Sequence, residues 1–105
     1  MILFEEISQE KAKKIMDEET DYQVVDVRTQ TEYKTGHIVG AICVPNEEIN
    51  EETAKKYFPD KDQKLLIYCR SGVRSRDAAL KLVKMGYTKV LEFGGILDWI
   101  YEKEL

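Results

Sequence analysis

The sequence predicts an α/β domain built on a five-stranded parallel sheet flanked by helices, and three observations carry that prediction. Apolar runs of strand length alternate with amphipathic segments, which is the pattern of βαβ units. The run over 65–68 is apolar throughout, as expected of a central strand covered on both faces. No repeat, low-complexity tract or linker interrupts the chain, so we expect a single domain over 1–105.

Strand and helix signals place the elements in order. Strands are expected over 2–4, 23–27, 41–44, 65–68 and 90–93. Helices are expected over 9–19, 29–34, 51–57, 74–85 and 96–104, the last with Ile96, Trp99 and Ile100 on one face. Ser8 and Asn50 are predicted caps, Thr29 forms a capping box with Glu32, and Gly86 suits the position after a helix end.

Composition excludes several classes of function. A chain of 105 residues can bury a core without disulfide or metal staples, and its 43% hydrophobic and 34% charged content is that of an ordinary globular protein. The net charge of -4 argues against a nucleic-acid surface. No apolar stretch approaches the roughly 18 residues of a membrane span. Nothing in the surface pattern demands an oligomer, so we expect a monomer.

Cysteine usage bears on metals and compartment. Cys43, Cys69 and the single histidine are too few and too scattered for a zinc site, so we expect no metal and no organic cofactor. The amino terminus lacks the basic start and apolar core of a signal peptide. Free thiols in a reducing, cytoplasmic compartment are therefore the expected state.

The segment 65–80 carries most of the chemical signal. An apolar strand ends in Cys69, a loop with one glycine and two arginines follows, and a helical pattern begins at once. This order places a thiol at the amino end of a helix, where backbone N–H groups and the helix dipole favour an anion such as a thiolate or an oxyanion substrate. The alternative is that Cys69 is a small buried hydrophobe, a common state of free cysteine.

Sheet topology predicts which segments meet this loop. Ligands of an open parallel sheet lie outside the carboxyl ends of its strands. Cys69, Gly94-Gly95 and Arg28 each follow or close a predicted strand. We therefore expect these residues at one rim of the sheet.

Three elements of the chain match one known family in order. The first element comprises residues 26–28 (Asp-Val-Arg), 32–33 (Glu-Tyr) and 36–42 (Gly-His-Ile-Val-Gly-Ala-Ile). The second is 68–75 (Tyr-Cys-Arg-Ser-Gly-Val-Arg-Ser), and the third is 94–99 (Gly-Gly-Ile-Leu-Asp-Trp). On these residues the chain resembles the single-domain rhodanese-like sulfurtransferases. The resemblance implies a rhodanese-like fold and a catalytic Cys69 that carries a persulfide.

Loop length separates two activities of similar fold. The resemblance extends to the fold of the cell-cycle dual-specificity phosphatases, which use a Cys-x5-Arg loop to enclose phosphate. Here Cys69 and Arg74 form Cys-x4-Arg, and a shorter ring of N–H groups suits the outer sulfur of a persulfide better. Arg70 resembles the thiosulfate type of loop, whereas Arg74 departs from it, since that type usually has threonine there.

The resemblance implies a two-step covalent reaction. Cys69 attacks the sulfane sulfur of a donor such as thiosulfate, and a thiophilic acceptor then removes that sulfur from the resulting persulfide. The expected partners are thus a small anionic sulfur donor and a thiol acceptor. The loop residues predicted to bind the substrate are Arg70, Ser71, Gly72, Val73, Arg74 and Ser75.

Each loop residue also has a simpler interpretation. Arg70 and Arg74 are predicted to bind the anionic donor, but arginines are commonly solvated surface charges. Gly72 is expected to meet a backbone requirement, either positive φ or close approach to a bound sulfur. Ser71 and Ser75 can cap the helix, or a hydroxyl can hydrogen-bond the persulfide.

Residues outside the loop are expected to be structural. Asp26 and Arg28 tie the second strand to neighbouring loops, although a substrate contact by Arg28 stays open. His37 is expected to stabilise the fold, Trp99 to pack in the core, and Cys43 to be buried and inert.

Three further functions stay open beside the sulfurtransferase. The first is a sulfur-relay module that holds the persulfide for a sulfur-accepting protein. The second is a phosphatase or arsenate-reductase-like enzyme. The third is a catalytically silent domain.

Overall fold

The computed structural model describes residues 4–105 and contains a five-stranded sheet in which every strand pair is parallel. A separate antiparallel pair adds two short strands. The strands are β1 (Glu5–Glu6), β2 (Tyr22–Asp26), β3 (His37–Ile38), β4 (Ile42–Cys43), β5 (Lys64–Cys69), β6 (Val90–Gly95) and β7 (Lys103–Glu104). The helices are α1 (Gln9–Glu18), α2 (Gln30–Lys34), α3 (Glu51–Tyr57) and α4 (Val73–Lys84), with 3-10 turns at Asn46–Glu48 and Ile96–Asp98.

The strand order places β5 at the centre of the sheet. The order is β1-β6-β5-β2-β4, so β2 separates β5 from β4. Residues 65–69 are all buried, which confirms the prediction of a central strand covered on both faces. The five-stranded parallel sheet with flanking helices is likewise confirmed.

Alternation along β5 divides the core in two. Leu65, Ile67 and Cys69 pack with α3 and α4 on one face, which we call the α4 face. Leu66 and Tyr68 point to the other face and pack with α1 and Trp99; this is the α1 face. Cys69 therefore belongs to the layer that α4 covers.

The predicted helix caps are present. Ser8 accepts from the backbone of Lys11 at the start of α1, and Thr29 with Glu32 forms the predicted capping box of α2. Asn50 caps α3, and Gly86 follows the end of α4 with φ +98°. The boundaries of these four helices lie within one or two residues of their predicted positions.

The predicted final helix over 96–104 is wrong. Residues 96–98 form a 3-10 turn, and β7 pairs with β3 in antiparallel register. The apolar spacing predicts that Trp99 and Ile100 share one buried helix face. In the structure Trp99 is buried whereas Ile100 is 83% exposed, so the two side chains do not share a buried face. Two long-range contacts hold the extended end: Glu104 accepts from the Gly40 N–H at 3.0 Å, and its carboxylate lies 3.5 Å from His37 Nε2.

Two smaller predictions also need comment. The predicted strand over 2–4 lies almost wholly outside the described residues, and the first described strand is Glu5–Glu6. Cys43 is half-buried at the edge of the sheet and not fully buried, because β4 has a neighbouring strand on one side. Among residues 4–105, no helix has the length and apolar character needed to cross a membrane.

Candidate active site

The candidate site is the short loop between β5 and α4. Strand β5 ends at Cys69, and α4 begins at Val73, so three residues make the connection. Gly72 stands at the helix start with φ +109°, which confirms the predicted positive φ. A residue with a Cβ would be strained there, so glycine lets the chain turn sharply from strand into helix.

The sulfur of Cys69 faces polar groups although the residue is only 1% exposed. The Gly72 N–H donates to Cys69 Sγ at 2.9 Å, and Sγ lies 3.4 Å from Ser75 Oγ. A cysteine that serves only as a small hydrophobe needs neither partner. The polar contacts therefore favour the reactive interpretation, while the burial places the thiol beneath the exposed residues Arg70 and Ser71.

The end of β6 packs tightly against this loop. A Cβ on Gly95 would lie 2.0 Å from the Arg70 carbonyl oxygen, so a side chain cannot fit without moving backbone. The Leu97 N–H donates to the same oxygen at 3.3 Å. The predicted meeting of the double glycine with the cysteine loop is thus confirmed.

Arg74 is held by an acidic residue of α2. Its guanidinium donates to both carboxylate oxygens of Glu32, at 2.7 and 3.0 Å. The hydrogen bond from Arg74 lowers the pKa of Glu32 to about 2 against the opposing effect of burial. The pKa of Arg74 is raised first by Glu32, with a smaller contribution from the charge of Cys69. Arg74 therefore lies within electrostatic reach of the sulfur but already has an anionic partner.

The other loop residues predicted to bind substrate differ in their exposure to solvent. Val73 is 70% exposed, and Arg70 and Ser71 are exposed. Ser75 is fully buried in the first turn of α4. Substrate binding by these residues stays a prediction.

Glu92 is a buried acid next to the site that sequence reasoning missed. It is 3% exposed on β6, where its Oε2 accepts from Ser75 Oγ at 2.5 Å and from the Gly94 N–H at 2.8 Å. A signal was available, because a carboxylate between the apolar residues of the predicted strand over 90–93 is anomalous. Alternation from Val90 places Glu92 on the α4 face, beneath the cysteine loop.

A second polar network lies on the opposite face of the sheet. Asp26 accepts from Arg28 Nε and Nη2 and, at 2.7 Å, from the Tyr68 hydroxyl. Arg28 Nη2 also donates to the Gly36 carbonyl at 2.7 Å. Burial, followed by the charge of Asp26, raises the pKa of Tyr68. Asp26 and Arg28 therefore tie β2 to the segment before β3, as predicted.

His37 and Trp99 have the structural contacts expected of them. His37 Nδ1 lies 3.0 Å from the Tyr33 carbonyl, and the two rings stack at 3.7 Å. Trp99 is 4% exposed and packs against Phe93.

The fold and the loop define a class of protein that presents a cysteine between a central parallel strand and the start of a helix. A family model described as "Rhodanese-like domain" matches residues 8–102. The chain belongs to the rhodanese-like domain family.

Individual relatives carry different names. The chain is 39% identical over 74 residues to thiosulfate sulfurtransferase PspE of Escherichia coli (strain K12), an alignment that covers 70% of each chain. It is 38% identical over 92 residues to a tRNA uridine(34) hydroxylase of Bdellovibrio bacteriovorus. That alignment covers 85% of this chain but only 26% of the relative, so this chain spans about a quarter of the hydroxylase.

A solved structure shows the same fold. The structure described as "rhodanese with anions from E. coli" superimposes with a TM-score of 0.72 at 36% identity. The superposition covers 79% of this chain and 96% of that one.

Proposed function

We propose that this protein is a sulfurtransferase that moves a sulfane sulfur from thiosulfate or a persulfide donor to a thiophilic acceptor through a persulfide on Cys69. The observation that carries the proposal is the contact of Cys69 Sγ with the Gly72 N–H at the amino end of α4. A backbone N–H and a helix amino terminus both stabilise a thiolate, the nucleophilic form of cysteine. The named sulfurtransferase relative supports the same chemistry.

The reaction divides into two displacements on sulfur. The Cys69 thiolate attacks the outer sulfur of thiosulfate, a new S–S bond forms, and sulfite leaves with the electron pair of the old S–S bond. An acceptor thiolate then attacks the outer sulfur of the persulfide, and Cys69 leaves as a thiolate. Charge and oxidation balance in each step, so no separate oxidant or reductant is required.

In this proposal each part of the loop has a role. The dipole of α4 contributes roughly 0.3–1 kcal/mol to an anion at its amino end. Arg70 and Arg74 attract the anionic donor, and the backbone of Ser71, Gly72 and Val73 surrounds the outer sulfur. Cys69 is 1% exposed, so donor access to its sulfur requires a local opening of the structure.

Intact-mass measurement after exposure to thiosulfate tests the proposal. Wild-type protein is expected to gain the mass of one sulfur atom, and Cys69→Ser to gain none. Cys43→Ser is the matched control, because it removes the other thiol and should load sulfur like wild type. Failure of wild type to gain sulfur from thiosulfate and from several organic persulfides would refute the proposal.

A relay to a protein acceptor is the second candidate function. Val73 and Leu97 are 70% and 61% exposed, and each adjoins the cysteine loop through its own backbone. Exposed apolar side chains beside a reactive group are typical of a protein contact and are not needed for a small anion. Slow cyanide-dependent turnover together with rapid sulfur transfer to a cysteine-bearing protein would favour this relay over a small-molecule enzyme.

The remaining expectations stand as part of this proposal. We propose a single domain over 1–105 that acts as a monomer in a reducing compartment such as the cytoplasm. The phosphatase alternative predicts hydrolysis of an aryl phosphate at a rate comparable with sulfur transfer. The four-residue spacing between Cys69 and Arg74 argues against it.

A further inference from the structure

The hydroxyl of Ser75 links two buried acids. Its Oγ lies 2.5 Å from Glu92 Oε2, 3.0 Å from the Gly72 carbonyl and 3.4 Å from Cys69 Sγ. Because a hydroxyl has a single hydrogen, it can donate to only one of these groups. The shortest contact is to Glu92, and its length is that of an O–H···O⁻ bond to a carboxylate. The oxygen lone pairs of Ser75 then remain free to accept the S–H of Cys69.

Within residues 4–105, Glu92 has no cationic partner of the kind that a buried carboxylate normally has. Its hydrogen-bond donors are the Ser75 hydroxyl and the Gly94 N–H, and no salt bridge reaches it from the described part of the chain. An ionised carboxylate in a buried place is costly unless it is paired, so its retention beneath a reactive cysteine calls for a function.

We propose that Glu92 is a positioning residue of the active site that, through Ser75, accepts the proton of the Cys69 thiol. The S–H bond of Cys69 breaks and its proton joins Ser75 Oγ, while the Ser75 hydroxyl proton passes to Glu92 Oε2. One thiol and one carboxylate become one thiolate and one carboxylic acid, so total charge and oxidation state do not change. The inference rests on the proposed function only in taking Cys69 as the reactive thiol.

The space between Cys69 and Glu92 suits one negative charge and not two. Two buried anions separated by a single hydroxyl repel each other, so thiolate and carboxylate together are disfavoured. Transfer along the relay leaves one negative charge, held at Cys69 by the Gly72 N–H. The protonated Glu92 then faces the thiolate through Ser75 and no longer opposes it.

The other charged and polar groups near the relay come from four elements, α4, α2, β1 and α1. On α4, Arg74 lies within electrostatic reach of Cys69 but is paired with Glu32. Arg76 lies beside Gly72 and is 3.6 Å from Glu6 of β1, which is the register partner of Glu92. From α1 the nearest polar group is the neutral amide of Gln9, which donates to the Gly95 carbonyl. None of these groups joins Glu92 to Cys69 as Ser75 does.

The rate at which a small alkylating reagent modifies Cys69, measured against pH, tests the relay without any sulfur donor. Burial raises the pKa of Cys43 to about 11, so at neutral pH the reagent reports on Cys69, and peptide mapping identifies the modified thiol. Glu92→Gln and Ser75→Ala are each expected to slow alkylation near neutral pH by roughly ten- to a hundredfold. The ultraviolet absorbance of the thiolate should fall in parallel.

Two further variants make the test specific. The double variant should lose no more than either single variant, because both remove the same relay. Glu6→Gln is the matched control, since it makes the same chemical change on the adjacent strand outside the relay. It should stay within about twofold of wild type.

Several outcomes would overturn the relay. Alkylation at the wild-type rate or faster across the pH range in folded Glu92→Gln would do so. If Glu92→Gln fails to fold, wild-type alkylation in Ser75→Ala decides the matter in the same way. Alkylation needs no sulfur donor, so the two proposals can fail separately. If the variants slow alkylation as expected but wild type never accepts sulfur, the proposed function is refuted and the relay stands.

Discussion

Asp26 and Glu92 are two buried carboxylates on opposite faces of the same sheet, and their partners differ. Asp26 is fully buried with Arg28 at 2.7 Å and a tyrosine hydroxyl at the same distance. Glu92 is 3% exposed, and its donors in the described part of the chain are neutral, one of them also touching the cysteine sulfur. A buried acid with a cation stabilises the arrangement of loops. The acid without one is the acid that the Ser75 hydroxyl joins to the cysteine sulfur.

Removal of the charge on Asp26 should have the largest effect on stability. Asp26→Asn leaves the Arg28 guanidinium buried without its counter-charge, and breaking a buried pair in this way costs about 3–5 kcal/mol. The midpoint of denaturant unfolding should fall accordingly, with little change in slope. Exposed Asp21→Asn, the control, should lie within about 0.5 kcal/mol of wild type. An Asp26 variant as stable as wild type would contradict a structural role for this pair.

Gly95→Ala should disturb the active-site loop without changing any charge. The added Cβ would lie 2.0 Å from the Arg70 carbonyl, so the backbone on one side must move. Overpacking of this kind costs about 1–3 kcal/mol, and sulfur loading from thiosulfate should slow. Gly40→Ala is the control for general destabilisation, because its φ of +83° strains an alanine there while nothing lies within 4 Å of the added Cβ, and the residue is outside the cysteine loop. Loading at wild-type rate in Gly95→Ala would show that the loop tolerates displacement.

Glu92→Gln should lower the reactivity of Cys69 with little loss of stability, whereas Asp26→Asn should mainly lower stability. The amide keeps an oxygen acceptor for the Gly94 N–H, so the free energy of unfolding should change by no more than about 1 kcal/mol. The proton relay is lost nevertheless, so reactivity falls while stability stays. Denaturant unfolding measured on the samples used for alkylation checks this. A loss of stability as large as that of Asp26→Asn would place both acids in the same structural role.

Glu32, a partly exposed acid, should have the smallest effect on stability, and that effect should disappear in acid. Arg74 lowers the folded pKa of Glu32 to about 2 from an ordinary value of 4.5. The pair therefore stabilises the fold above about pH 4.5, and that contribution is lost as the pH falls from there toward 2. Both side chains are near one third exposed, so solvent screening limits the effect to about 1 kcal/mol or less. Glu32→Gln should flatten the acid limb of stability measured against pH.

Local sequence signals predict those elements whose determinants lie within a few residues. The caps at Ser8, Thr29 and Asn50 and the glycine at position 72 were predictable, because each depends on a hydrogen bond or a φ value set by its near neighbours. The segment after Gly95 was not, since apolar spacing alone does not distinguish a helix from a turn followed by a strand. Its conformation depends on pairing with His37–Ile38, more than sixty residues earlier in the chain.

The sequence by itself determined the order along the chain of the features that carry the chemistry. These are a cysteine at the end of a buried run, a glycine that turns the chain, and a helix that follows. Tertiary structure alone decided which acids surround that cysteine. It paired Arg74 with Glu32 and brought Glu92 beneath Ser75, contacts that join residues 42 and 17 positions apart. Contacts of this kind depend on how strands and helices pack, and packing is a property of the whole fold that no local pattern contains.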